Sequence, residues 1–288
     1  MLIVVLLRGT DLRAEVDPLT GAVHREPRAA ALSAADGAAL EHALRIAEAW
    51  EARVLALSVG GVEADAVLRE VLALGVEVRR VPHEVSYIEE LAADEQAIAR
   101  ALVAALAGEV PDLVLCGDSS ADRSAGALPA LMAHELGAVQ APGLVRIALE
   151  GDSLIAERRL DFGRREVMRV PLPAVCSVEA AGVRLRRAPL SGVLAAADAT
   201  VPVARVTVAP SAVRVLRTRA ARPRPRVLPA PTGSSRERLL ALTGALLSHD
   251  APTVVGPVDA AEAADALLAF LVRQGYLSEA RTGWATQP

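Results

Sequence analysis

The stretch Pro111–Gly137, PDLVLCGDSSADRSAGALPALMAHELG, decides how this chain is read. Asp112–Cys116 is a short apolar run behind a proline, the length of a buried parallel strand. It breaks at Gly117 into a small polar loop, Asp118-Ser119-Ser120-Ala121-Asp122-Arg123-Ser124. From Ala125 apolar residues return at helical spacing (Leu128, Leu131, Met132, Leu136), and Gly137 stops the run. A strand, a glycine, a serine-rich loop and a helix start are how an α/β protein offers backbone N–H groups to a phosphate. A nucleotide is therefore the first ligand to consider for Gly117, Asp118, Ser119, Ser120, Ala121, Asp122, Ser124 and Gly126. An ordinary strand-to-helix turn with a serine cap explains the same residues. The stretch alone leaves both readings open.

Outward from this stretch, strands and helices alternate. Leu2–Leu7 reads as a first buried strand ending at Arg8-Gly9-Thr10-Asp11, and Asp17-Pro18-Leu19-Thr20-Gly21 as the turn of a hairpin excursion. Ala35–Trp50 is a helix, Val54–Val59 a strand, Glu63–Leu74 a helix after Gly60-Gly61, Val76–Val81 a strand and Ala93–Leu106 a helix. This alternation predicts an α/β fold with a parallel sheet and right-handed crossovers. After Gly137 the pattern changes. Leu144–Leu149, Ser153–Leu160 and Glu166–Val170 read as antiparallel strands, with turns at Glu150-Gly151-Asp152 and Asp161-Phe162-Gly163. Pro173–Val178 returns as a continuous apolar strand, and Arg184–Ala197 reads as irregular. Residues 1–200 are thus expected to form the α/β domain and 201–235 a Pro/Arg-rich linker or arm containing Arg222-Pro223-Arg224-Pro225-Arg226. Residues 236–288 hold two amphipathic helices, Arg236–Leu247 and Ala260–Gln274, that bury little by themselves and are expected to pack on a partner chain.

Composition excludes several functions. Of 288 residues 52% are apolar but only 2% aromatic, which leaves almost no stacking surface for single-stranded nucleic acid. The net charge of −4 provides no general attraction to phosphate backbones or anionic lipid. Leu2–Leu7 is too short for a membrane span or a signal peptide. Cys116 and Cys176 both sit in apolar strand-like runs, where cysteine acts as a small buried hydrophobe. A soluble, cytoplasmic protein that does not insert into membranes is expected, with no nucleic-acid partner.

Catalytic sets are thin. His24, His42, His83, His134 and His249 are scattered, and none has a metal-ligand partner three or four residues on. There is no lysine at all, hence no Schiff base and no P-loop lysine, and no Gly-x-Ser-x-Gly elbow or Cys-His pair. Glu89-Glu90 and Glu41 with Glu48 read as solvated helix faces. Arg8-Gly9-Thr10-Asp11 lacks the three-glycine turn of a dinucleotide site. In Glu157-Arg158-Arg159 to Gly163-Arg164-Arg165-Glu166 the basic residues alternate with acids at a hairpin, so local ion pairing is expected there. No catalytic or metal-ligating residue is assigned.

One further block carries more. Arg158-Arg159-Leu160-Asp161-Phe162-Gly163-Arg164-Arg165-Glu166, followed by Pro171-Leu172-Pro173-Ala174-Val175-Cys176-Ser177, is similar to the most specific signature of the electron transfer flavoprotein beta subunit. Ala39–Arg45, Ala56–Gly60, Leu68-Arg69 with Ala73–Gly75, Pro111–Leu115 and Val272–Leu277 agree with it, so the chain resembles this family over nearly its whole length. The resemblance implies a Rossmann-like domain of the adenine nucleotide alpha hydrolase type that holds AMP, or in some branches a second FAD. It also implies a heterodimer with an alpha subunit that carries the redox-active FAD. Electrons would come from a flavin- or nicotinamide-dependent dehydrogenase and pass toward a quinone-linked acceptor. By the same carry-over Val5 and Val59 line the adenine, Ser33–Asp36 flank it, Gly117–Leu128 wraps the phosphate, and Leu190 is the leucine of the dehydrogenase-docking loop. The chain departs from the family at Leu7, at Ser33-Ala34, in a phosphate loop kept only at Asp122, and at Ala195-Ala196-Ala197. These departures resemble the divergent branch that accompanies mycofactocin systems. Two other functions are compatible with the same residues: a stand-alone adenine-nucleotide sensor and a nucleotide-free assembly subunit.

Overall fold

Ile3, Val4 and Val5 are completely buried, and the strand they form lies inside the main sheet. The structure is a computed structural model that describes residues 1–24, 26, 29–82, 94–151, 153–206, 213–214, 216, 231–243, 254, 256 and 259–277. Twelve strands are described: β1 (Leu2–Leu6), β2 (Gly9–Asp11), β3 (Glu15–Val16), β4 (Val23–His24), β5 (Ala30–Leu32), β6 (Arg53–Val59), β7 (Glu77–Val81), β8 (Leu113–Gly117), β9 (Val139–Glu150), β10 (Ser153–Arg159), β11 (Arg165–Val170) and β12 (Ala174–Val178). The helices are α1 (Ala34–Trp50), α2 (Ala64–Leu72), α3 (Glu95–Ala105), α4 (Leu128–Leu136), α5 (Leu190–Ala197), α6 (Ser235–Leu242) and α7 (Ala260–Arg273).

Eight strands make one sheet in the order β11-β10-β9-β12-β8-β1-β6-β7. The pairs from β7 across to β9 are parallel, and β9, β10 and β11 pair antiparallel. Alternation along β1 divides its side chains between two cores. Ile3 and Val5 face α1 and α2, while Leu2, Val4 and Leu6 face α3 and α4. This is the expected α/β fold with its mostly parallel, doubly covered sheet. The hairpin excursion is present as β3 and β4, joined through Asp17, whose carboxylate accepts from the N–H groups of Leu19 and Thr20.

Two expectations are corrected. The strand placed at Leu144–Leu149 is the second half of a longer one. The first half of β9 runs parallel to β12, through Val139 opposite Ala174 and Ala141 opposite Cys176. Pro142 and Gly143 interrupt that half and hide its period. Arg184–Ala197, read as irregular, contains helix α5 behind Pro189, whose extended backbone starts the helix. Its apolar residues are largely exposed, so polar and apolar residues do not alternate against a core.

The chain divides into two compact units, residues 1–222 and 223–288. In the second, Ser234 caps α6 in a capping box with Glu237 and Asp259 caps α7, and neither helix buries a residue. His83, His249, Glu89-Glu90 and most of the Pro/Arg arm lie outside the described residues. The basic hairpin does pair locally, with Arg158 on Glu166, Arg165 on Glu157 at 3.2 Å and Arg159 on Glu179 at 2.6 Å.

Candidate functional site

Strand β1 sends its chain to one side, through β6 and β7, before β8 returns on the other. Ligands of open α/β sheets bind in the crevice at such a switch point, beyond the carboxyl ends of the strands. A cavity of about 680 Å³ lies there, walled by the ends of β1, β6 and β8 and by the loop that leads to α4. Leu6, Leu57, Val59, Ile98 and Leu102 contribute apolar wall, and Arg8 and Arg123 contribute guanidinium groups at the loop. The size is that of an ordinary small-molecule site.

The loop is held from both strand ends. Arg8, the first residue past β1 but one, donates from Nη2 to Asp122 at 2.7 Å. Asp36, in the first turn of α1, is 9% exposed and lines the same cavity. Burial pushes its carboxyl up to about 6. The Ser33 hydroxyl and the backbone N–H groups of Arg8 and Gly117 offset only part of that. Gly117 is needed because a Cβ there would lie 2.8 Å from Asp36 Oδ1 and 3.3 Å from its backbone nitrogen. At Gly126 a Cβ would lie 2.9 Å from the carbonyl oxygen of Asp118. Both glycines are therefore required by contacts within the protein. Cys116, also on the wall, has its thiol pushed far above the ordinary range by burial and by Asp36.

Of the residues singled out in the sequence, Val59, Gly117, Asp118, Ser119, Ser120, Asp122 and Gly126 come together on this wall. Val5 does not reach it; its side chain is completely buried against α1, because alternate residues of β1 face opposite layers. Ser33 instead caps α1, its Oγ accepting from Asp36 N–H at 3.0 Å. Ala121 and Ser124 lie off the wall, and Ser124 takes a left-handed conformation, φ 52°. Leu190 lies elsewhere, 73% exposed at the first turn of α5.

The loop differs from a simple phosphate cradle in where its donors go. Ser120 N–H donates to Ala125 O at 2.8 Å, Ser124 N–H to Ser120 O at 2.8 Å and Ala125 N–H to Ser120 Oγ at 3.2 Å. Asp118 N–H donates to Val178 O at 3.0 Å, and Ala127 N–H to Glu95 Oε2 at 2.8 Å. The cationic groups, Arg8 and Arg123, were not singled out from sequence. Arg8-Gly9-Thr10-Asp11 was the available signal, since a polar tetrapeptide directly after the central strand faces the crevice whether or not it is glycine-rich. The cavity has room for a nucleotide-sized ligand, with apolar wall on one side and Arg8 and Arg123 at the loop. Among the described residues no cluster of His, Cys, Asp and Glu could hold a metal ion, and no helix is long and apolar enough to cross a membrane.

Fold and cavity together define an α/β protein with a nucleotide-sized crevice at the switch point of its sheet. The sequence profile of the electron transfer flavoprotein domain matches residues 20–221. The electron transfer flavoprotein subunit beta of Thermoanaerobacterium thermosaccharolyticum is 32% identical over 160 residues, 56% of this chain and 60% of that protein. The subunit beta of Syntrophomonas wolfei is 29% identical over 182 residues, 63% of this chain and 70% of that protein. The human subunit beta is 32% identical over 142 residues, 49% and 55% of the two chains. The aligned part thus spans about half to 63% of this chain and 55–70% of these relatives. The chain belongs to the electron transfer flavoprotein beta-subunit family.

Proposed function

We propose that this chain is the beta subunit of a heterodimeric electron carrier, with no catalytic residues of its own. The partner is an alpha subunit that bears most of an FAD, and the site of action is the cytoplasm. When bound, that flavin takes electrons from a flavin- or nicotinamide-dependent dehydrogenase and passes them toward a quinone-linked acceptor. The chain's own residues hold a structural AMP, with the base against Leu57 and Val59 and the phosphate at Arg8 and Arg123. They also form a docking face on α5. The observation that carries the reading is family membership across 202 of the 288 residues, from 20 to 221.

Helix α5 supports it independently. Leu190, Val193 and Leu194 are 73%, 47% and 68% exposed and share one face of the helix. Gly192, on the other side, sits against the end of α2, where a Cβ would lie 2.1 Å from Ala73 O. Arg69 Nε donates to Ala199 O at 3.0 Å just past the helix. An apolar face on a firmly seated helix can anchor in a pocket of a partner. The same reading assigns the chain to the mycofactocin-associated branch, on the departures at Leu7, Ser33-Ala34 and Ala195–Ala197.

Co-expression with an electron transfer flavoprotein alpha subunit tests the proposal. A yellow one-to-one complex whose flavin is reduced through a dehydrogenase is the expected result. A colourless monomer that binds an adenine nucleotide supports the sensor instead, and a nucleotide-free complex supports the assembly subunit.

A further inference from the structure

The segment between β1 and α1 is an arm that leaves the sheet and returns to it, and its two halves are held differently. At the base β2 pairs with β5 and is seated on α2, where a Cβ on Gly9 would lie 2.9 Å from Val67 Cγ2. Thr10 and Asp11 are buried there. In the outer half β3 and β4 pair only with each other, Glu15 opposite His24 and Val16 opposite Val23, and all four residues are exposed. This half still supplies cavity wall, through Thr20, Gly21, Ala22 and Val23. A single carboxylate joins the two halves. Asp11 Oδ1 accepts from the Arg13 N–H and Oδ2 from the Glu26 N–H, each at 2.8 Å. It thus holds both strands of the arm where β2 and β5 give way to β3 and β4. Most of the other described lining stands on strand ends and on helices α1 to α4. None of residues 12–24 belongs to either core, so the outer arm can move without disturbing the packing of the sheet.

We propose that the outer half of the arm, residues 12–24, is a lid on the crevice, hinged at Asp11, which swings away to admit or release a ligand. Opening it breaks the bonds at the hinge and leaves both cores intact, which places it among local openings and not global unfolding. The lid does not require the ligand to be a nucleotide.

The chain carries its own reporter of this motion. It has two cysteines, both buried. Cys116 lines the cavity, and Cys176 belongs to the core on the other face of the sheet. The experiment labels the full chain with methyl methanethiosulfonate and follows each cysteine by peptide mass spectrometry. Lid opening should expose Cys116 alone, whereas global unfolding exposes both. Asp11→Ala removes both hinge acceptors and should speed Cys116 about tenfold with Cys176 unchanged; Asp11→Asn keeps one oxygen and should fall between. If Asp11→Ala unfolds the chain, both cysteines accelerate together, and a shortened arm decides. Replacing Glu15–His24 by Gly-Gly keeps Asp11, and the pairing of Glu15 with His24 permits a short closure. This variant should speed Cys116 at least as much. An unchanged Cys116 rate in the shortened arm, or acceleration always shared equally with Cys176, overturns the lid. AMP added to wild type tests the nucleotide reading separately. If AMP fails to slow Cys116 while the shortened arm speeds it, the nucleotide is refuted and the lid stands.

Discussion

Replacing Glu41 by glutamine tests how the stretch before α5 is held. Glu41, expected on a solvated helix face, is instead buried on α1 at 3% exposure because Arg186 and Arg45 cover it, and its carboxylate accepts four hydrogen bonds. Arg186 donates to Oε2 from its backbone N–H and from Nε, each at 3.0 Å, and to Oε1 from Nη2 at 3.1 Å. Arg45 Nε donates to Oε1 at 2.8 Å, and Arg186 also pairs with Glu48. Burial would raise the Glu41 carboxyl, but the side-chain bonds from Arg186 and Arg45 and the Arg186 N–H outweigh it and hold the pKa at about 2. Relative to the ordinary 4.5 that is worth about 3 kcal/mol at neutral pH. Arg186 is 36% exposed, so solvent screening reduces the figure to about 2 kcal/mol. Because the folded pKa is depressed, this stability is fully present above about pH 4.5 and is lost as pH falls toward 2. Urea denaturation followed by the fluorescence of Trp50, on the same helix, reads the effect. Glu41→Gln should be less stable than wild type by about 2 kcal/mol at neutral pH, and the gap should close on acidification. Equal stability at neutral pH, or a gap that persists at pH 2, refutes the reasoning.

Three further outcomes follow from named contacts. Asp36, with its carboxyl raised to about 6, keeps a proton in the folded state that the unfolded chain has already lost. Stability should therefore fall by about 2–3 kcal/mol as pH rises from about 4 to about 6, and denaturation of Asp36→Asn should lack that slope. Gly117→Val drives a side chain into Asp36 and Ala35 at the start of α1, and mass spectrometry of heat-released extracts should find no nucleotide in it. Gly192→Ala places a methyl against Ala73 O; hydrogen exchange should rise across residues 190–197 and leave β1, β6 and β8 unchanged.

Strands β6 and β8 of the parallel sheet were legible because each is a short apolar run followed by a helix of clear period. Val54–Val59 and Asp112–Cys116 show this, since burial on both faces leaves no other composition open to them. The first half of β9 was not legible, because Pro142 and Gly143 break its period and the pairing with β12 is set by distant residues. Helix α5 was missed because Leu190, Val193 and Leu194 point outward, and a sequence pattern reports burial only where burial exists. On the cavity wall the loop glycines and Asp122 were legible from local pattern. Arg8, Glu63 and Glu95 come from three other segments, and only the order of strands brings them together. The loop's serines read as ligand donors, yet Ser120 turns its hydroxyl inward to Ala125 N–H. Short polar side chains serve turns and ligands equally well, so their sequence cannot distinguish the two uses.

Helix α1 joins the cavity to the outward face, and its two buried carboxylates show how. Asp36 and Glu41 stand a little over one turn apart and are both nearly excluded from water. Burial raises both, and their partners decide the outcome. Asp36 receives the Ser33 hydroxyl and neutral backbone N–H groups, with the charge of Arg8 the smallest contribution, so desolvation wins and the carboxyl moves up. Glu41 receives two guanidiniums, so charge wins and the carboxyl moves down. At the site end of the helix the Asp36 carboxyl takes up its proton near pH 6, above the ordinary carboxylate range, and its burial as a charge costs stability above that pH. The other end fixes Arg186 four residues before Leu190, and this brings α5 to its seat on Ala73. A single helix therefore sets the polarity of the crevice and fixes the path to the exposed apolar face, and the two roles can be separated by the opposite signs of their pH dependence.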